Sequence, residues 1–273
     1  MGLILCMAAD SASYLTIPEL SVRVFSSEEL CYCILKYPLL FLEDFLDDGV
    51  FRFLGTVTGD VRFKAELRDM KENGVKDEEI ILRILEGSGY CSSAEAGQFR
   101  SRIQEYRRLS RAEQLLKKAE LLFSLRRFGK AASLYQHILM LPANEGLTEN
   151  MKCRALAGEG GSYANLFLSE KAFRCYSEAW EIRKDPEIMK RIYFLGLTEP
   201  VIGIRERYLA AAENAMDGIP EDWDREYEEA RQKAADGEGK KKIDRVFSGD
   251  PVMRARRAEE QLRTWKQDYR TML

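Results

Sequence analysis

The sequence predicts a predominantly all-α fold, and three observations carry that reading. Two stretches, residues 112–142 and 153–186, each alternate apolar and small residues in the manner of two helices folded against each other. Ser26-Ser27-Glu28-Glu29 and Ser92-Ser93-Ala94-Glu95 each set a serine three residues before a glutamate, the pair that satisfies the free amides of a helix start. Period-two alternation, the mark of a half-buried strand, is confined to the first 25 residues.

Taken in order, residues 1–90 read as a bundle of short helices carrying a small β-ribbon. Leu20, Val22 and Val24 alternate with Ser21, Arg23 and Phe25, and residues 2–7 are the expected partner strand. A two-stranded ribbon is not stable alone and must lie on helices. The first helix opens at Ser26, and its body, 30–36, is apolar nearly all round, which places it centrally. Short helices are expected around 40–46, 50–54, 61–73 and 77–86, with Gly74 and Gly87 as C-caps because glycine adopts the left-handed conformation cheaply.

Residues 91–204 read as a long helix followed by the two hairpins. Phe99, Ile103, Tyr106 and Leu109 keep one stripe, and the pattern is expected to run into the first hairpin without a break. Asp185-Pro186-Glu187 starts a further helix over 188–197, and Thr198-Glu199-Pro200 stops it. Capping helices are expected within 205–235, with Trp223, Tyr227, Ala230 and Ala234 on one face of the second. Residues 236–250, opening with DGEGKKK, read as a flexible linker. The last segment, 251–273, sets Val252, Ala255, Ala258, Leu262, Trp265, Tyr269 and Met272 along a coiled-coil-like seam, so a homo-oligomer through this helix is an expectation.

The two hairpins match each other. With Ala131 set against Ala172, the pairs Leu115/Leu156, Ala119/Gly160, Leu122/Tyr163, Tyr135/Tyr176 and Ile138/Ala179 fall at equivalent positions, 41 residues apart. This pattern resembles the tetratricopeptide (TPR) repeat, which has small residues where two helices cross and an aromatic knob on the second helix. The spacing exceeds the roughly 34 residues of that repeat, leaving extra chain at 143–150, and Ile138 stands where a small residue is usual. Residues 188–197, with Gly196, fit the first helix of a degenerate third unit or a cap.

Composition excludes several classes of function. The chain has 273 residues, 45% hydrophobic and 32% charged, and a net charge of −3, so no global field draws it to nucleic acid or to an anionic membrane. The most apolar run, 31–42, is interrupted by Lys36 and Pro38, and no membrane span is expected. The first residues match neither a secretory signal nor the myristoylation pattern. Six cysteines without metal-site or redox spacing point to a reducing, cytoplasmic setting.

Catalytic chemistry finds little footing. The single histidine, His137, stands on a helix surface and has no partner set for nucleophilic catalysis. Gly158-Glu159-Gly160-Gly161 lacks the strand before it and the Lys-Ser/Thr after it that a phosphate loop needs, and Gly160 is explained by helix crossing. Gly237-Glu238-Gly239-Lys240 fails the same test. Glu43, Asp44, Asp47 and Asp48 match no calcium loop and read as a solvated helix end. No catalytic, metal or cofactor site is expected.

The resemblance implies a concave face, lined by the first helix of each hairpin, that docks a peptide or helix of another protein. In the repeat register the partner-binding residues are Glu113, Leu116, Lys117, Glu120 and Phe123, then Arg154, Ala157, Gly161, Ala164 and Asn165, then Lys190 and Tyr193. The lysine–asparagine set that clamps a C-terminal carboxylate in some family members is not reproduced. The expectation is a non-enzymatic adaptor or scaffold. The alternative is a regulatory or nucleic-acid-associated protein using the basic helix over residues 100–127.

Overall fold

A computed structural model describes residues 13–273 apart from Asp44, Asp217 and Gly249; the strand expected at 2–7 lies outside the described residues. Fourteen α-helices and one two-stranded sheet make up the regular structure of the described residues, a predominantly all-α fold. The chain divides into two compact units, residues 1–114 and 115–273.

In the first unit β1 (Leu15–Ile17) pairs antiparallel with β2 (Val22–Val24), Leu15 opposite Val24. Ile17 and Val24 are buried, and the ribbon packs on α1 (Ser27–Lys36) and α2 (Asp48–Thr58). The start of α1 is capped from both sides. The Glu29 amide donates to Ser26 Oγ at 3.3 Å, and the Phe25 amide donates to the Glu29 carboxylate at 2.6 Å. Leu30, Cys31, Cys33 and Ile34 of α1 are buried, as its apolar circumference requires.

The helix expected over 40–46 does not form. A 3-10 turn, Pro38–Leu40, leads into irregular chain that buries Phe41, Leu42 and Leu46, and the next helix waits for Asp47, whose carboxylate accepts from the Val50 amide at 2.9 Å. After α3 (Val61–Glu72), Gly74 is left-handed at φ 72° as expected. After α4 (Asp77–Gly87) that conformation falls to Gly89, at φ 66°, and not to Gly87. Gly87 is small for a different reason: a Cβ there would stand 2.7 Å from the Phe63 ring.

The long helix does not run on. α5 (Ser93–Arg107) begins at the Ser92/Glu95 capping box and stops, and Ser110 opens α6 (Arg111–Ser124) through a capping box of its own. The Glu113 amide donates to Ser110 Oγ at 3.3 Å, and the Ser110 amide donates to the Glu113 carboxylate at 2.8 Å.

The second unit continues with α7 (Phe128–Leu139), α8 (Glu149–Asn165), α9 (Ser169–Ile182), α10 (Pro186–Thr198) and α11 (Ile202–Ala215), each from α7 to α11 packed on the one before or after it. Ala119, Ala131, Ala172 and Ala179 are fully buried, and Tyr135 and Tyr176 are buried beside them. The turns after α6 and after α8 are the same Schellman motif. Arg127 and Leu168 donate to the carbonyls of Leu122 and Tyr163, both at 2.9 Å, while Arg126 and Phe167 adopt φ of 60° and 61°.

Of the capping region, α12 (Glu221–Asp236) buries only Trp223 among its residues; Ala230 and Ala234 are exposed. The flexible linker expected over 236–250 is largely helical, as α13 (Glu238–Phe247). Gly237 interrupts the chain in an extended conformation and caps α13, while Lys240–Asp244 and Lys241–Glu238 pairs support the turns that follow. The last helix, α14 (Pro251–Met272), forms over the expected span. No helix among the described residues is long and apolar enough to cross a membrane.

Candidate functional site

The residues expected to face a groove do not all do so, and those that do are clustered. A concave site of about 430 Å³ lies in the second unit between α6, α8 and α10. Its walls include Glu120 and Phe123 of α6 and Arg154, Ala157, Gly161 and Asn165 of α8, all anticipated from the repeat register. Tyr135, Gly158, Tyr176 and Arg191 complete it.

The floor follows from two glycines. A Cβ at Gly158 would overlap the Tyr135 ring, and a Cβ at Gly160 would come within 2.8 Å of the Tyr176 ring. α8 is therefore bare where the tyrosines of α7 and α9 reach through to the groove. Gly158-Glu159-Gly160-Gly161 lies wholly inside α8, so these glycines serve close packing within a helix and form no loop.

The walls carry unequal charges. Arg154 is paired with Glu120 across α8 and α6 at 2.6 Å. Among the described residues Arg191 contacts neutral groups, the Ala157 carbonyl at 3.4 Å and the Tyr176 ring at 6.0 Å. Burial pushes the Tyr135 and Tyr176 hydroxyls up to about 12, against the opposing pull of nearby Arg191. Both therefore stay protonated at neutral pH. The site presents hydrogen-bond donors and one uncommitted cation over an apolar floor.

The remaining anticipated residues lie outside the groove. Glu113 caps α6 through Ser110. Leu116 is 2% exposed and belongs to the core. Lys117 is exposed on α6 without lining the groove. At α10 the reason is α12, which lies over Lys190 and Tyr193. Lys190 pairs with Glu226 at 2.5 Å, and the Tyr193 hydroxyl donates to Asp224 at 2.7 Å. Tyr193 packs on Trp223 with ring centroids 5.9 Å apart and is 8% exposed. Repeat register alone gave no warning of this cover. Arg191, one residue beyond Lys190, was the available signal on α10.

Behind the groove, Glu159 is buried among Gln136, Tyr163 and Cys175, and desolvation raises its carboxyl above the ordinary range despite hydrogen bonds from those three. Gln136 also donates to the Tyr163 hydroxyl at 2.8 Å. Burial pushes the Cys175 thiol up to about 12, so it is no nucleophile. His137 is exposed on α7.

The first unit holds a cleft of about 740 Å³ between α4 and α5. Its cations are largely matched: Arg107 pairs with Glu78 at 3.0 Å, and Arg100 stands 4.0 Å from Glu79. Arg111 pairs with Glu43 at 2.5 Å, and Arg102 donates to the Leu35 carbonyl at 3.3 Å. Arg100, Arg102, Arg107 and Arg111 thus go to separate partners. The acidic cluster is dispersed in the same way. Glu43 goes to Arg111, Asp47 to the α2 cap and Asp48 to Arg68, while Asp44 lies outside the described residues. Among the described residues no group of three or more His, Cys, Asp or Glu is placed to hold a metal ion.

Comparison of the chain with protein-family models, with curated proteins and with solved structures found no match.

Proposed function

We propose that the second unit is a TPR-like docking module and that the protein is a non-enzymatic adaptor, holding a segment of another protein in the groove between α6, α8 and α10. The observation that carries the reading is Arg191, a guanidinium beside an apolar tyrosine floor with no carboxylate contact among the described residues. An acidic side chain on the bound segment supplies that partner, and charge-assisted pairing of this kind is the strong form of hydrogen bond. The repeated Schellman turn and the 41-residue register support the repeat reading.

Photo-crosslinking tests the site. A benzophenone amino acid replacing Asn165, exposed at the groove, is compared in native lysate with one replacing Ser133, exposed on α7. The reading predicts a discrete adduct from position 165 that Arg191→Glu removes. Identical adducts from both positions contradict it.

A further inference from the structure

α14 is a 22-residue helix with no buried residue, and its large apolar side chains stand in solvent: Leu262 is 50% exposed and Trp265 47%. Both ends are held: near the start, Arg257 donates to the Ser248 carbonyl at 3.0 Å, and the far end is fixed on α7. Arg127 donates to the Thr271 carbonyl at 2.5 Å, and the Leu273 backbone passes so close to Gly129 that a Cβ there would overlap it. A helix gains most of its stability in water by covering an apolar face, and this one leaves its face open.

We propose that α14 pairs antiparallel with α14 of a second copy of this chain. The seam Ala255, Ala258, Leu262, Trp265, Tyr269, Met272 has the three- and four-residue spacing of coiled-coil core positions. In the antiparallel register that sets Leu262 against Trp265 of the second copy, Ala258 meets Tyr269 and Ala255 meets Met272. Every layer then opposes a small or medium side chain to a large one, which fills space evenly. Glu259 and Lys266 fall at the flanking positions that face each other across such a pair, giving two opposite-charge contacts related by the twofold axis. Parallel, in-register pairing stacks Ala255 and Ala258 on themselves and crowds Trp265 and Tyr269 against their own copies. Side-chain size selects the antiparallel arrangement.

Sedimentation equilibrium on the full chain tests the proposal, with circular dichroism to confirm that each variant stays helical. The wild type is expected at twice the 31.4 kDa chain mass at about 100 µM, and Leu262→Glu/Trp265→Glu at the single-chain mass. Glu259→Lys and Lys266→Glu, each self-repelling at the flanks, are expected to weaken the dimer at least about tenfold. Mixed one to one they are expected to recover wild-type association, since each then meets the opposite charge. A monomeric wild type, a dimer unaffected by the core or flank substitutions, or no recovery on mixing would overturn the proposal. The mixing experiment decides the matter even if the core variant fails to fold.

Discussion

Arg126 and Phe167 stand 41 residues apart and share one backbone conformation, left-handed at φ 60° and 61°. Each stands two residues past the end of a helix whose last carbonyls are closed by the amide that follows, from Arg127 to Leu122 and from Leu168 to Tyr163. Neither is a glycine, and Phe167 is 84% exposed, so side-chain burial does not explain the choice of residue at either place. The geometry of the helix-to-helix turn imposes the conformation.

A β-branched residue is strained in that conformation and glycine is not. Phe167→Val is therefore expected to be less stable than Phe167→Gly by about 1–2 kcal/mol in urea unfolding. Arg126→Val and Arg126→Gly are expected to show the same order. Equal stabilities of valine and glycine variants at either position would deny the shared turn.

The glycines of α8 allow a paired test. Alanine in place of a helical glycine gains about 1 kcal/mol where there is room. Gly97, inside α5, has nothing within 4 Å of an added Cβ, so Gly97→Ala is expected to stabilise. At Gly158 the added methyl meets the buried Tyr135 ring, and overpacking of this kind costs about 1–3 kcal/mol. Gly158→Ala is expected to lower the midpoint of thermal unfolding. A raised midpoint would mean that Tyr135 does not fill the space behind the groove.

Glu159 makes stability depend on pH in a defined direction. Burial raises its folded-state pKa above the ordinary 4.5, so the folded protein holds the proton more tightly than the unfolded chain. This contribution is fully present below pH 4.5 and is lost as pH rises through the elevated folded value. Glu159→Gln is expected to flatten the fall in stability above pH 4.5 and to raise the unfolding temperature at pH 7. An unchanged pH profile would place the carboxyl in water.

Much of the second unit was legible because its small residues and aromatics are spaced by helix crossing, as at Ala119, Ala131 and Tyr135. Local chemistry was legible where it was looked for: Ser26 and Ser92 both cap helices. Ser110 and Glu113 form a third capping box, which was missed because the apolar stripe around it continues unbroken. Gly87 misled because a glycine near a helix end serves either as a left-handed cap or as a close-packing site, and only the Phe63 ring decides between them. DGEGKKK misled in the opposite sense: Gly237 takes the N-cap position outside the helix, leaving Gly239 inside it, and two ion pairs support the turns that follow. The groove was half legible. Register found Glu120, Phe123 and Arg154, but the cover that Trp223 and Asp224 place on Tyr193 joins residues about thirty positions apart, beyond any local pattern.

The groove is tested most directly by selecting binders from a random peptide library on the full chain and measuring their affinities by fluorescence anisotropy. The account predicts that selected peptides carry an Asp or Glu and lose at least about tenfold in affinity, close to 1.4 kcal/mol, for Arg191→Ala. It also predicts that Ala157→Glu blocks them while the protein remains helical. Peptides that bind the wild type, Arg191→Ala and Ala157→Glu equally well would contradict it.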